Sequence, residues 1–212
     1  MTRPAPRRTS TVAVLLVLGL AAGACTGDGD DSSDKPSEST SPTSRPAPEV
    51  AIRARVGTVA GELPRARRRV VARQVGAVVD DWFDAAYLGG DYPRTDFRTA
   101  WPGFTAGARR LAIREKDIMS NDRIGGRIDG VQAMVKTAQL DVLSPNRRPA
   151  AATARVRLVF RTSGEKAQRV AIRGRLLLTR TKGRWRVFGF DMTRAVRPLP
   201  NASGATSGEG ES

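Results

Sequence analysis

The order of apolar and polar residues changes character three times along this chain. Residues 11–24 are an unbroken small-and-apolar run centred on Val12-Ala13-Val14-Leu15-Leu16-Val17-Leu18. Residues 26–49 contain no aliphatic side chain larger than alanine and no aromatic. From residue 50 the apolar positions become periodic, first at helical spacing and then at alternate positions. A short strand is predicted over 50–59. Pro64 opens a helix, because proline suits the first turn. Val71, Val75, Val78, Val79, Trp82 and Ala86 follow at spacings of three and four, which makes one apolar stripe. Gly89-Gly90 ends it.

Residues 91–104 read as a connector with a short helix that puts Tyr92, Phe97 and Trp101 on one face. A third helix is predicted over 105–120, burying Ala108, Leu111, Ala112, Ile118 and Met119. Residues 121–130, with Gly125-Gly126 and no period, read as a loop. Five basic residues (Arg65, Arg67, Arg68, Arg69, Arg73) crowd the start of the first helix, and Asp80, Asp81 and Asp84 lie toward its end. Both placements oppose the helix dipole, so packing must hold the helix.

At Val131 the period changes to two. Val131, Ala133 and Val135 share a face, and then the phase shifts to Ala138, Leu140 and Val142. A slip inside one long strand predicts a bulge. Ala152, Ala154, Val156, Leu158 and Phe160 alternate next, followed by Val170, Ile172, Gly174, Leu176 and Leu178. Lys182-Gly183 turns the chain into Trp185-Val187-Gly189, with Phe188, Phe190 and Met192 assigned to the opposite side. Helices first and hairpin-linked strands after predict an α+β domain, an antiparallel sheet of about four strands covered on one face. Mid-strand glycines favour strong curvature.

The first 25 residues add a location. Arg3, Arg7 and Arg8 precede the apolar run, which ends Leu20-Ala21-Ala22-Gly23-Ala24-Cys25 before polar, acidic sequence. That is the layout of a secretory signal, too short for a lasting span. Small residues before the chain's single cysteine resemble a bacterial lipoprotein signal, although Ala22 stands where leucine is usual. The resemblance implies acylation at Cys25 and a protein exported and anchored to the outer face of the cytoplasmic membrane. The expected organisation is a signal over 1–24, an acidic Ser/Pro-rich tether over 25–49, one domain over 50–200 and a tail over 201–212. The tether and tail cannot bury enough apolar surface to order themselves.

Charge and chemistry narrow the rest. The net charge is +15, and the tether and tail are both acidic, so the excess falls on the domain. Such a charge suits anionic lipid headgroups or cell-wall polymers. Nucleic acid would satisfy it equally but is a poor match for an exported chain. With no histidine and one cysteine, His-ligated zinc, Ser-His-Asp and Cys-His catalysis are excluded. No cofactor or metal is expected.

Two constellations remain. By alternation, Arg155, Arg157 and Arg161 share one strand face, Arg169, Arg173 and Arg175 the next, and Arg184 and Arg186 the last. Together they make a cationic sheet face for an anionic surface, or an ordinary solvated outer face. Phe188, Phe190 and Met192 beside these arginines suggest a protein interface, for a homodimer through the sheet.

The residues Val79-Asp80-Asp81-Trp82-Phe83-Asp84-Ala85-Ala86-Tyr87, Asp91-Tyr92 and the closing Lys182-Gly183-Arg184-Trp185-Arg186-Val187 resemble the nuclear transport factor 2-like, or SnoaL-like, superfamily. The resemblance spans about residues 64–195 and implies a cone: a long helix and two short ones in the concavity of a curved sheet. It also implies a pocket whose mouth is lined by Asp84, Tyr87, Tyr92, Asp96, Arg98 and Trp101. Carboxylates beside tyrosine or arginine could perform acid–base work there, yet no spacing spells a catalytic site. The layout resembles accessory subunits of actinobacterial transport systems. The reading is therefore a non-catalytic binding role, or an accessory role within a membrane protein complex, with a small enzyme using the pocket acids as the alternative.

Overall fold

The computed structural model describes residues 49–199. The signal, Cys25, the tether before Glu49 and the tail over 201–212 lie outside the described residues. Strand β1 (Arg53–Gly61) leads into helix α1 (Arg65–Phe83), which continues as one π-helical turn (Asp84–Leu88). Helices α2 (Ala106–Arg114) and α3 (Lys116–Met119) follow, then β2 (Gly130–Ser144), β3 (Ala151–Ser163), β4 (Gln168–Thr181) and β5 (Arg184–Pro198). The five strands form one sheet in the order β1-β2-β3-β4-β5. This is an α+β fold, as expected.

Packing does hold α1. No acidic residue occupies its first turn and no basic one its last, but Val71, Val75, Val79, Trp82 and Ala86 are buried against the sheet. Each large apolar side chain removed from water contributes about 1.5–3 kcal/mol. Trp82 anchors the centre, with its ring 5.1, 5.6 and 5.9 Å from those of Phe83, Tyr87 and Phe104.

Four expectations need correction. The sheet is mixed and has five strands, because β1 runs parallel to β2. The whole helical layer separates these two strands, so the chain re-enters the sheet as a crossover and not as a hairpin. Residues 91–104 contain no helix; Phe97 and Trp101 are buried on an irregular connector. The helix over 105–120 breaks at Glu115 into α2 and α3. Its Leu111 is exposed, since only the small Ala108 and Ala112 face inward from α2.

The fourth correction concerns β5. A bulge is present in β2, as expected, but it lies between Ala133 and Val135 and not after Val135. Val135 therefore pairs with outward-phase Val159 and leaves the face of Val131 and Ala133. A second one lies where Leu178 pairs with Val187 but Leu177 pairs with Gly189, leaving Phe188 as the extra residue. One extra residue exchanges the faces of everything beyond it. Trp185 and Val187 point to the core before the bulge; Phe190, Met192 and Arg194 take that side after it. Phe190 packs against Phe104, with ring centroids 6.4 Å apart, and Met192 is buried. Of the three residues assigned to a sheet interface, only Phe188 is exposed.

Candidate functional site

The outer face of the sheet is built by strict alternation. Ala154, Val156, Leu158 and Phe160 of β3 point inward and are buried, so Arg155, Arg157 and Arg161 stand outward and exposed. Arg169, Arg173 and Arg175 do the same on β4. The antiparallel register then sets Arg155 opposite Arg175, Arg157 opposite Arg173 and Arg161 opposite Arg169. Like charges directly opposite each other destabilise a sheet.

The rows continue onto strands that sequence reasoning left out. Arg53 and Arg55 of β1 connect through Thr137 and Gln139 of β2 to Arg157 and Arg155, and Arg197 of β5 stands opposite Arg169. Alternation within β1 could have found Arg53 and Arg55. Arg197 lies beyond the β5 bulge, where alternation counted from Arg184 and Arg186 assigns it to the opposite face. Arg184 and Arg186 pair with Thr181 and Thr179 on the other side of the β5 bulge, and so fall outside these rows.

Neutralisation is sparse. Arg155 pairs with Asp141, and Arg175 with Asp191 at 2.7 Å. Arg53, Arg55, Arg157, Arg161, Arg169, Arg173 and Arg197 make no ion pair among the described residues. Two hollows open between the rows. One of about 430 Å³ is lined by Arg53, Arg55, Thr137, Gln139, Arg155 and Arg157. Another of about 360 Å³ is lined by Arg157, Arg169, Arg173 and Arg197 over Val159, Ala171 and Ala195. Val159 is outward in phase yet 1% exposed, as expected where the aliphatic stems of arginines lie over a short side chain.

The expected pocket residues do not converge on one cavity. Asp84 alone lies at an open cleft of about 560 Å³, shared with Glu49, Val50, Leu88, Val131 and Lys136. The Lys136 side chain is only 2% exposed, and its Nζ lies 2.5 Å from Asp80 Oδ1 and 3.3 Å from Asp84 Oδ1. Lys136 shares its strand phase with Ala138, Leu140 and Val142, the signal that could have revealed it. Burial raises the Asp84 pKa above the ordinary carboxylate value, against the lowering pull of Lys136. Burial opposes the charge on Lys136, but the two aspartates outweigh it and raise its pKa.

Tyr87 and Tyr92 belong to a different, structural cluster. Tyr87 is fully buried and its hydroxyl donates to the Ile118 carbonyl at 2.6 Å; burial pushes its pKa well up. The Tyr92 hydroxyl donates to the Tyr87 carbonyl at 2.8 Å. Asn121 Nδ2 reaches the same carbonyl at 2.9 Å. Arg194, turned inward by the bulge, donates to the Ser120 carbonyl at 2.7 Å, the Asp117 carbonyl at 3.2 Å and Asn121 Oδ1 at 3.1 Å. Its cation thereby covers the carbonyls at the end of α3.

Asp96, Arg98 and Trp101 line a third, shallow hollow with Arg109, Lys116 and Asp122. Asp96 and Arg98 pair with each other at 2.6 Å on the surface. Hydrogen bonds from Arg98 hold the Asp96 carboxyl down to about 2. That pairing is local, two residues apart, and leaves neither group turned toward a neighbour. Among the described residues no group of three His, Cys, Asp or Glu side chains is placed to hold a metal ion, and no helix is long and apolar enough to cross a membrane. Comparison with protein-family models, curated proteins and solved structures finds no match to this chain in any of the three.

Proposed function

We propose that this chain is a lipid-anchored cell-envelope protein whose domain serves a non-catalytic binding or accessory role. In this reading the domain is a nuclear transport factor 2-like cone, with Cys25 as its membrane anchor. Its arginine face is the surface through which it meets anionic lipid or cell-wall polymer. The observation that supports it best is the register of β3 and β4, which sets three arginine pairs face to face with two carboxylates to neutralise them. A solvated face with no partner gains nothing from such pairs, whereas a polyanion turns their mutual repulsion into attraction.

The enzyme reading has one observation in its favour, the raised pKa of Asp84 at an open cleft. Its other expected members, Tyr87, Tyr92, Asp96, Arg98 and Trp101, are turned to different places, so binding is the better-supported function. The full chain carrying Cys25→Ser, which removes any acylation, provides the test. It is expected to bind anionic but not neutral vesicles, or polyphosphate-coated beads, at about 50 mM salt and to leave them near 0.5 M, where screening shortens to a few ångströms. Failure to bind either anionic material at the lower salt would overturn the proposal.

A further inference from the structure

Resting on that reading, we infer that the arginine face is a two-site receptor for a linear chain of phosphate-bearing repeats. Its two hollows share one wall. The first gathers arginines from β1 and β3 across β2, the second from β3, β4 and β5, and Arg157 belongs to both. Seven arginines line the pair, and six of them (all but Arg155) make no ion pair among the described residues. Guanidinium groups bind phosphate oxygens bidentately, as a planar fork that lysine lacks. Several unpaired forks around a hollow of a few hundred cubic ångströms therefore suit a phosphate group.

Register gives the spacing. The first hollow is centred over β2 between the rows of Arg155 and Arg157. The second is centred over β4, in the row that joins Val159, Ala171 and Ala195. Two strands across and about three residues along correspond to about 14 Å by ordinary sheet dimensions. A chain with phosphates at intervals can seat one in each hollow and run diagonally past Arg157. A bilayer presents its phosphates as a plane instead, and would draw on every outward arginine, Arg184 and Arg186 included.

That difference is measurable with inorganic phosphate chains as the probe. In calorimetric titrations of the full chain carrying Cys25→Ser, long-chain polyphosphate reaches both hollows and tripolyphosphate fills one. At matched phosphate concentration the long chain is expected to bind on the order of 100-fold more tightly, as linked sites do. Arg157→Ser, at an exposed position, is expected to abolish most of that advantage. Arg184→Ser removes the same charge outside both hollows and is expected to leave the advantage in place. Equal losses from the two substitutions would overturn the two-site receptor. If phosphatidylglycerol vesicles then bind as well as the polymer, the face is a membrane surface, and only the proposed binding role survives. Absence of salt-sensitive binding to both materials would overturn the two-site receptor and the proposed function together.

Discussion

Arg157 and Arg173 stand directly opposite each other on neighbouring antiparallel strands, both exposed and neither neutralised among the described residues. Stability alone would not select this pair. Arg173→Thr, which keeps a strand-forming side chain, is expected to stabilise the domain by about 0.2–1 kcal/mol at low ionic strength. The gain should shrink as added salt screens the repulsion. Chemical denaturation of both proteins at two salt concentrations checks this. A destabilised variant at low salt would mean that Arg173 makes contacts its register does not suggest.

Among the described residues, Lys136 is the one ammonium held inside the domain between two aspartates. Lys136→Met leaves Asp80 and Asp84 without their counter-ion on a partly buried helix face. A fully buried pair broken this way costs about 3–5 kcal/mol; with both carboxylates partly exposed, about 2 kcal/mol is expected. Equilibrium unfolding measures the loss, and Asp84→Asn in the same background should recover part of it.

The pH dependence separates the two partners. Asp84 has a folded-state pKa raised above its unfolded value, so the folded state binds its proton more tightly. Its contribution is fully present below about pH 3.8, the ordinary aspartate value, and is lost as pH rises through the folded pKa. Asp84→Asn should therefore gain stability relative to the natural protein as pH climbs from 3 to 6. Lys136 is raised as well, and so is Tyr87 by burial. Their contributions hold below the unfolded values of 10.5 and 10.0 and disappear as pH rises beyond them. Steep alkaline unfolding above about pH 10 is expected, shallower in Lys136→Met. Thermal melts across both ranges would show it.

Arg194 ties the end of α3 to β5 through two carbonyls and Asn121. Removing it strands those acceptors in a partly buried site, so Arg194→Met should cost about 1–3 kcal/mol. Arg194→Lys should recover little, because a single ammonium cannot reproduce the two-pronged geometry. Hydrogen exchange at Ser120 and Asn121 should rise in step with the loss.

Gly174 of β4 lets β5 pack closely at Met192, its partner in the register. Its φ is +149°, and a Cβ there would lie 2.1 Å from the Asp191 carbonyl oxygen and 2.7 Å from Met192 Sδ. Gly174→Ala should destabilise by more than about 3 kcal/mol, combining strain with a backbone clash. Expression yield and melting temperature report it.

Much of this architecture was legible in the sequence because burial enforces period. The stripe from Val71 to Ala86 named its helix, and the change of phase in β2 named a bulge while setting Val135 on the wrong side of it. The β5 bulge was not legible: Trp185, Val187, Phe188, Phe190 and Met192 are apolar in both phases, so alternation there carries no information about which face is inward. That ambiguity hid Arg194 and misplaced Phe190 and Met192. The parallel pairing of β1 was missed because local pattern cannot report a partner that follows the whole helical layer. The arginine rows were legible strand by strand, but their face-to-face alignment depends on register, which only the folded sheet supplies.

The most direct test of the arginine face compares the salt dependence of polyphosphate binding by the Cys25→Ser chain with that of the same chain carrying Arg155→Ser, Arg157→Ser and Arg173→Ser. A steep fall in affinity with salt is expected for the first, with weaker binding and a much flatter dependence for the second. Indistinguishable affinities and slopes would contradict the assignment of this face as the binding surface.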